Sequence, residues 1–202
     1  MDRFCQHCNS DNTVKYGVRV NKTGGNSQRY FCNSCKKEFS IRDDRGCDRE
    51  IRRAIVTPDK HFPYEDKPAI NALLKAIDLV KPSIYVDLGD TGEWESVSQW
   101  KWKRKKRPPL EYMIPEIDKE VAAVNAGMDL IDHALDGVKC DERHFIEGNH
   151  DNWLNRFVEG YPYLSQYKLK TAIKLDERGY TYHPFGKFLK IGKLFFYHGH
   201  QY

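Results

Sequence analysis

The chain of 202 residues contains neither a long apolar run nor a secretory leader. Its apolar stretches fall short of the roughly 18 residues that a membrane-spanning helix needs. The opening residues, MDRFCQHC, lack the charged segment followed by an apolar segment that marks a secretory signal. We therefore expect a cytoplasmic protein with no membrane partner.

Length and charge bound the organisation of the chain. Such a length allows one large core and a small additional module, but not two full-sized domains. The formal net charge is +4, and residues 1–53 hold 12 Lys and Arg against 7 Asp and Glu, so the excess lies at the N-terminus. That distribution favours an anionic partner for the first module, and nucleic acid is the commonest such partner.

The six cysteines are arranged for metal binding more than for disulfides. Four of them form two Cys-x-x-Cys pairs, Cys5 with Cys8 and Cys32 with Cys35, separated by 23 residues. Two such pairs can place four thiolates around one structural zinc ion. The solitary Cys47 and Cys140 receive no role.

Two strand-like runs, 14–18 and 27–31, flank a turn at Gly24–Gly25 between the cysteine pairs, which predicts a zinc ribbon over residues 1–40. Four reduced cysteines in a loop are the weaker interpretation, because a segment of about 50 residues with little apolar core needs a staple to fold. The run 28–40 resembles the zinc ribbons of insertion-sequence transposases, over residues 5–40 only. That resemblance implies nucleic-acid binding, although ribbons also serve as protein docking modules and charge does not decide between them. The candidate phosphate contacts are Lys15, Arg19, Lys22, Arg29, Lys36 and Lys37.

Residues 41–53 are charge-dense and predict a solvated linker. Behind them, apolar runs at 54–57, 83–87 and 143–147 predict strands. One predicted helix is capped by Asp66 and carries apolar residues from 70 to 80, and another opens at Pro115 and ends at Gly137. Alternating strands and helices predict an α/β domain over 54–202 with parallel βαβ units, whose chemistry gathers at the carboxyl ends of the strands.

Metal-ligand side chains follow each predicted strand of this domain. They are Asp59 and His61 after the first strand, Asp90 after the second, Asn149, His150 and Asp151 after the third, and His198 after a further apolar run at 194–197. Each group alone is typical of a turn or a helix cap. Carboxylate, imidazole and amide ligands delivered together to one sheet edge predict a metal site.

The ordered set Asp59-x-His61, Gly89-Asp90, Gly148 to Asp151 and His198-Gly199 resembles the calcineurin-like metallophosphoesterases, over about residues 54–202. The resemblance implies an α/β sandwich with two divalent ions, for which manganese, iron, zinc and nickel are not distinguished. It implies that Asp59 and His61 bind one metal, that Asp90 bridges both, and that Asn149 and His198 bind the other. It further implies that His150 protonates the leaving oxygen or steadies the phosphoryl group, and that Asp151 orients the imidazole of His150.

The sequence departs from the family pattern at two points. Glu93 stands where the family's second motif usually ends in aspartate, which lengthens a side chain expected to support the metal ligands. The closing Gly-His-x-His of the family is absent, since Gly199-His200-Gln201-Tyr202 follows His198 too closely to be that motif. We therefore expect a fragment whose sandwich is incomplete at the C-terminus.

A basic, tryptophan-rich loop follows the second motif. Residues 101–107 contain six cations, and Trp94, Trp100 and Trp102 are close by. Such a loop can grip nucleic acid through phosphate contacts and base stacking, with Lys101, Trp102, Lys103 and Arg104 as candidate substrate contacts. It can equally be a solvated insertion whose tryptophans pack back on the core, and both interpretations stay open.

Two functions from different classes fit these patterns. The first is a metal-dependent enzyme that hydrolyses a phosphodiester of nucleic acid, with His150 as the acid. The alternative is a nucleic-acid-binding or scaffold protein that keeps the phosphoesterase fold without turnover, which the absent final motif favours and the intact Asn149, His150 and Asp151 oppose. A ribbon beside such a core indicates phage or mobile-element biology.

Overall fold

The structure is a computed structural model that describes residues 4–20, 26–42 and 52–199. The chain divides into two compact units, Met1–Ile51 and Arg52–Tyr202. It is a mixed α/β protein with a small antiparallel sheet in the first unit and a parallel sheet in the second. The predicted turn at Gly24–Gly25, Lys22, Cys47 and residues 43–51 of the predicted linker lie outside the described residues.

The first unit is a three-stranded antiparallel sheet in the order β1 (Thr13–Val20), β2 (Asn26–Cys32), β3 (Glu38–Arg42). The first two strands confirm the strand-like runs at 14–18 and 27–31. Strand β3 was not predicted, and it takes in residues 41–42, which were expected to begin the linker. The buried apolar cluster consists of Cys5, Tyr30, Cys32 and Phe39, so the described part of this unit has a small apolar core.

The second unit has a four-stranded parallel sheet whose strands follow one another in chain order. The strands are β4 (Ala54–Thr57), β5 (Ile84–Asp87), β6 (Glu142–Ile146) and β7 (Tyr180–His183). The helices are α1 (Lys67–Val80), α2 (Leu110–Gly137), α3 (Asn149–Gly160) and the short α4 (Leu169–Ala172). A separate antiparallel hairpin contains β8 (Leu189–Ile191) and β9 (Leu194–Phe196). In the described parts of the chain, no helix has the length and apolar character needed to cross a bilayer.

Side-chain alternation along the parallel strands gives the sheet two buried faces. On one face, Tyr85 and Phe145 belong to the core that the helices cover. On the other, Ile84, Val86 and Ile146 pack with Leu189 of the hairpin. Helices therefore cover one face of the sheet and the β8–β9 hairpin covers the other.

Strands β4, β5 and β6 confirm the predicted strands to within one residue at each end. Helix α1 begins as predicted, because the Asp66 carboxylate accepts a hydrogen bond from the Ala69 backbone N–H at 3.2 Å. The prediction of a buried apolar face is wrong at the C-terminal end of α1, because Leu79 is 81% exposed. Helix α2 was predicted to open at Pro115 and instead begins at Leu110, directly after Pro109, so that Pro115 lies inside the helix.

The largest error concerns the end of the sheet. The run at 194–197 was expected to be the next strand carrying a ligand, but β9 pairs antiparallel with β8 outside the parallel sheet. The fourth parallel strand is β7, which is short and has no apolar run. Nε2 of His183 on β7 lies 3.2 Å from Nδ1 of His144 on β6.

Candidate metal centres

The four predicted cysteines of the first unit form one cluster. Their sulfur atoms all lie within 4.8 Å of one another, and the Sγ–Sγ distances are 3.6 Å for Cys5 with Cys35 and for Cys8 with Cys32. These distances exceed a disulfide bond, and they match the separation of about 3.8 Å that a tetrahedron with Zn–S bonds of about 2.3 Å requires. The donor set therefore fits one zinc ion.

Local backbone geometry builds this cluster from two similar turns. The residue after each Cys-x-x-Cys pair, Asn9 and Lys36, has a positive φ of 55° and 59° respectively. Their backbone N–H groups donate to the carbonyls of Cys5 and Cys32 at 2.8 and 2.9 Å. Hydrogen bonding from the Cys35 backbone is the main cause that lowers the pKa of the Cys32 thiol to about 6, whereas the pKa of its partner Cys8 is raised to about 12, so Cys32 is the thiol of this pair that ionises first.

Four of the six candidate phosphate contacts in this unit are exposed. They are Lys15, Arg19, Lys36 and Lys37. Arg29 is only half-exposed, because its guanidinium pairs with Glu38 and lies 5.2 Å from the ring centroid of Tyr16. Lys22 lies outside the described residues.

In the second unit, the loops after β4 and β5 are joined by backbone hydrogen bonds. The N–H of Asp59 donates to the Gly89 carbonyl and that of His61 to the Asp90 carbonyl, both at 3.0 Å. Three predicted ligands, Asp59, His61 and Asp90, have positive φ values of 49°, 50° and 50°. Such values are uncommon for residues other than glycine and concentrate at functional sites.

Two glycines let the loops after β5 and β6 meet. A Cβ atom at Gly89 would lie 2.3 Å from the Gly148 nitrogen, and one at Gly148 would lie 2.2 Å from Asp90 Oδ1. The closeness allows the His150 backbone N–H at the start of α3 to donate to Asp90 Oδ1 at 2.8 Å. Both glycines therefore hold the second and third motifs together.

Glu93 connects two histidines of the site. Its Oε2 lies 2.7 Å from His61 Nδ1 and 3.5 Å from His150 Nδ1, and its backbone carbonyl lies 3.1 Å from His150 Nδ1. With Nδ1 of His61 held by a carboxylate, Nε2 remains as the ligand atom, and it lies 4.0 Å from Asp59 Oδ1. Ligand atoms of His61, Glu93 and His150 also lie within 4.8 Å of one another, a grouping that the sequence did not predict.

Asp90, Asn149 and His198 meet at a second point of the site. His198 Nε2 lies 2.9 Å from Asn149 Oδ1 and 3.3 Å from Asp90 Oδ2, while its Nδ1 donates to the Leu88 carbonyl at 2.8 Å. Asp59, Asp90 and His198 also offer ligand atoms within 4.8 Å of one another. His198 thus reaches the site, although it follows an antiparallel hairpin instead of a parallel strand.

The electrostatics of this point favour a charged carboxylate. Burial acts to raise the pKa of Asp90, but hydrogen bonds from His198 and from the His150 backbone outweigh it and lower the pKa. Burial likewise acts to lower the pKa of His198, and the neighbouring Asp90 raises it instead. With a neutral ring, His198 Nε2, Asn149 Oδ1 and Asp90 Oδ2 all present lone pairs, so the donor set fits a divalent cation.

Asp151 occupies a different place from the expected one. Its buried carboxylate accepts hydrogen bonds from the Trp94 indole at 2.9 Å and from the Gly148 backbone N–H at 3.2 Å. The carboxyl and carbonyl groups of Glu93, not Asp151, hold the His150 imidazole, so the expected orienting role is wrong. Burial, with the charge of Asp90, raises the pKa of Asp151 to about 7.

A buried ion pair beneath the site was missed by sequence reasoning. Lys60 stands between the predicted ligands Asp59 and His61 and is only 4% exposed. Its Nζ donates to Asp87 Oδ1 at 2.8 Å, and the same oxygen accepts the Gly89 backbone N–H at 3.0 Å. An aspartate closing an otherwise apolar strand was the available signal for a buried partner.

The tryptophans associated with the basic loop differ in burial. Trp94 is fully buried in the core, and Trp102 is half-buried with its indole N–H donating to the Ser96 carbonyl at 2.9 Å. Trp100 is 70% exposed, and Lys103 lies 5.3 Å from the centroid of its ring. Of the candidate contacts, Lys101 pairs with Glu95 at 2.7 Å, while Lys103 and Arg104 are exposed.

No known protein family matches the chain, and no solved structure matches it. A curated relative, the Gene 54 protein of Mycobacterium phage D29, is 24% identical over 156 residues. The alignment covers 74% of this chain and 57% of the phage protein, so the chain spans little more than half the length of that relative. The relative is in line with the phage biology that the sequence indicated.

Proposed function

We propose that the second unit is a metal-dependent phosphoesterase of the calcineurin-like type that hydrolyses a phosphodiester of nucleic acid. The observation that carries this proposal is the convergence of side chains from four separate segments on one site. Those side chains are Asp59, His61, Asp90, Asn149, His150 and His198. Candidate metal ligands that are scattered over 140 residues of sequence and whose ligand atoms form groups within 4.8 Å fit a built site better than a set of surface turns.

The donor set can hold two divalent ions in the arrangement that the resemblance implies. Asp59 and His61 would hold one ion, Asn149 and His198 the other, and Asp90 would bridge them because each carboxylate oxygen can serve one cation. Bound ions would supply Lewis-acid stabilisation of the charge on the phosphoryl oxygens.

The protein's own residues supply the proton transfer. His150 Nδ1 donates to the Glu93 carbonyl, and the Glu93 carboxylate 3.5 Å away stabilises a positive charge on the ring. A proton carried on Nε2 is then the one available for the leaving oxygen. Stacking on Trp153, with ring centroids 4.0 Å apart, fixes the plane of the imidazole.

Manganese-dependent hydrolysis of bis-p-nitrophenyl phosphate and of single-stranded DNA tests this function. We expect Asp90→Asn and His150→Ala each to lower the rate by at least about 100-fold, the scale typical of lost general acid catalysis. Asp141→Asn and His133→Ala are matched controls, because both side chains are exposed and Asp141 precedes strand β6 while the site residues Asn149 and His150 follow it, and His133 lies within helix α2. Hydrolysis by the parent that survives in both site variants would refute the assignment.

The proposal has a rival in a protein that binds nucleic acid without turnover. Its supporting observation is the run of exposed cations at 103–106, of which Lys103 lies 5.3 Å from the ring centroid of Trp100. Retention of DNA by a metal-loaded parent that hydrolyses neither substrate would favour that rival.

For the first unit we propose a zinc ribbon that binds nucleic acid through its exposed lysines and Arg19. The four-sulfur cluster and the two matching turns support the zinc ion, and the excess of cations supports the anionic partner. Removal of zinc by a chelator should unfold this sheet, because Tyr30 and Phe39 are its only buried aromatic residues among those described.

A further inference from the structure

A small aromatic groove adjoins the candidate metal centre in the second unit. It has a volume of about 230 Å³, and its walls include Trp100, Trp153, Phe185, Arg156 and Asn149. Asn149 is shared with the site, and Trp153 stacks on His150. A ligand in this groove therefore lies directly beside the side chains proposed to bind metal and to donate the proton.

The groove is formed by side chains that are held in place by named contacts. Trp153 is only 6% exposed, and the Phe185 backbone N–H donates to the buried Glu147 carboxylate at 3.1 Å. Arg156 is exposed and donates to Gln99 Oε1 at 3.3 Å. Trp100 differs from these residues, because its large ring is exposed to solvent on a loop rich in lysine.

We propose that this groove binds one base of a single-stranded nucleic acid, stacked on Trp100, while the adjoining phosphate enters the metal centre. Aromatic rings and a guanidinium are the groups on which unpaired bases stack. The cations at Lys103 to Lys106 supply the charge that a nucleic-acid backbone requires. This inference rests on the proposed phosphodiesterase and names its substrate class.

The volume of the groove fits a single ring system. Pockets for drug-sized ligands measure about 300–1,000 Å³, so the groove takes a single ring system and not an entire dinucleotide. A base in a duplex is stacked on its neighbours and must leave the stack before it can contact Trp100. Single strands of DNA and RNA share the necessary chemistry, and duplexes lack it.

Fluorescence anisotropy of labelled oligodeoxyuridylate and oligouridylate, which differ only in the sugar, tests the inference. The strands have about 12 nucleotides, within the range of single-strand binding sites. All variants carry Asp90→Asn, which prevents hydrolysis during the measurement. We expect Trp100→Ala to raise Kd about 5- to 150-fold, the equivalent of one lost base stack, and Trp100→Tyr to restore most of the affinity.

The matched control is Lys105→Ala, an exposed cation of the same loop. Its loss should reduce the salt dependence of binding by about 0.7 in the slope of log K against log salt, whereas Trp100→Ala should leave the slope unchanged. Trp100→Ala that binds like the parent, or that changes only the slope, would overturn the inference. So would a loss of duplex affinity in Trp100→Ala that equals its loss of single-strand affinity. The tighter of the two single strands identifies the sugar of the substrate.

The two proposals fail in different ways. A parent that hydrolyses bis-p-nitrophenyl phosphate but binds neither single strand would contradict the proposal that the groove binds a base and would leave the proposed enzymatic activity in place. A parent that binds single strands through Trp100 but hydrolyses no phosphodiester would support the base-binding groove and contradict the proposed phosphodiesterase activity.

Discussion

Gly148→Ala should disable the candidate metal centre without touching any of its ligands. The added Cβ would lie 2.2 Å from Asp90 Oδ1 and 2.4 Å from the Asp90 backbone nitrogen, whereas ordinary contacts begin near 3.4 Å. Because the second of these atoms is backbone, no side-chain rotation can relieve the overlap. The loops after β5 and β6 must therefore separate by about 1 Å, a displacement that costs on the order of 100-fold in rate at a catalytic site.

The cost in stability should be smaller than the cost in activity. Overpacking of a well-packed site typically costs about 1–3 kcal/mol, so the variant should still fold. Gly160→Ala is the matched control, because it lies at the other end of helix α3 and its Cβ would meet nothing within 4 Å. Manganese-dependent hydrolysis of bis-p-nitrophenyl phosphate and urea unfolding measure the two quantities. Gly148→Ala that matches Gly160→Ala in activity would refute the close approach of Gly148 and Asp90.

Three further substitutions have defined outcomes. Lys60→Met leaves the buried Asp87 carboxylate without its cation and should cost about 3–5 kcal/mol in urea unfolding, and a change below about 1 kcal/mol would contradict the buried pair. Glu93→Gln removes the carboxylate that holds the His61 imidazole, and it should weaken manganese binding, measured by calorimetry, about 10- to 100-fold. Unchanged affinity would exclude a supporting role for Glu93. Cys32→Ser should lower the zinc content of the purified protein by about one equivalent, as measured by mass spectrometry, and full zinc retention would contradict a four-sulfur site.

The parts of the fold that follow from apolar pattern could be predicted from the sequence. Short apolar runs ending in polar residues gave β4, β5 and β6, because the interior of a parallel sheet excludes polar side chains. Strand β7 escaped detection, since its Tyr and Thr residues alternate without an apolar run and its partner lies nearly 40 residues away. The hairpin position of β9 depends on pairing with β8, which no local pattern reveals.

The candidate site shows the same division. Ligand types and their positions after strands could be predicted, because the carboxyl ends of parallel strands meet at one edge. The contact of His150 with Glu93 instead of Asp151 could not be predicted, because it depends on how the loops after β4 and β5 pair with each other. The fully buried Trp94 was grouped with its exposed neighbours for the same reason, since its place beneath the site depends on the hydrogen bond to Asp151.

The central claim is that one site in the second unit holds two divalent cations. Anomalous diffraction from crystals of the protein grown with manganese tests it most directly. The account predicts two manganese peaks about 3.5–4 Å apart, one beside Asp59 and His61 and the other beside Asn149 and His198, with Asp90 between them. A single peak, or two peaks that do not share Asp90, would contradict it.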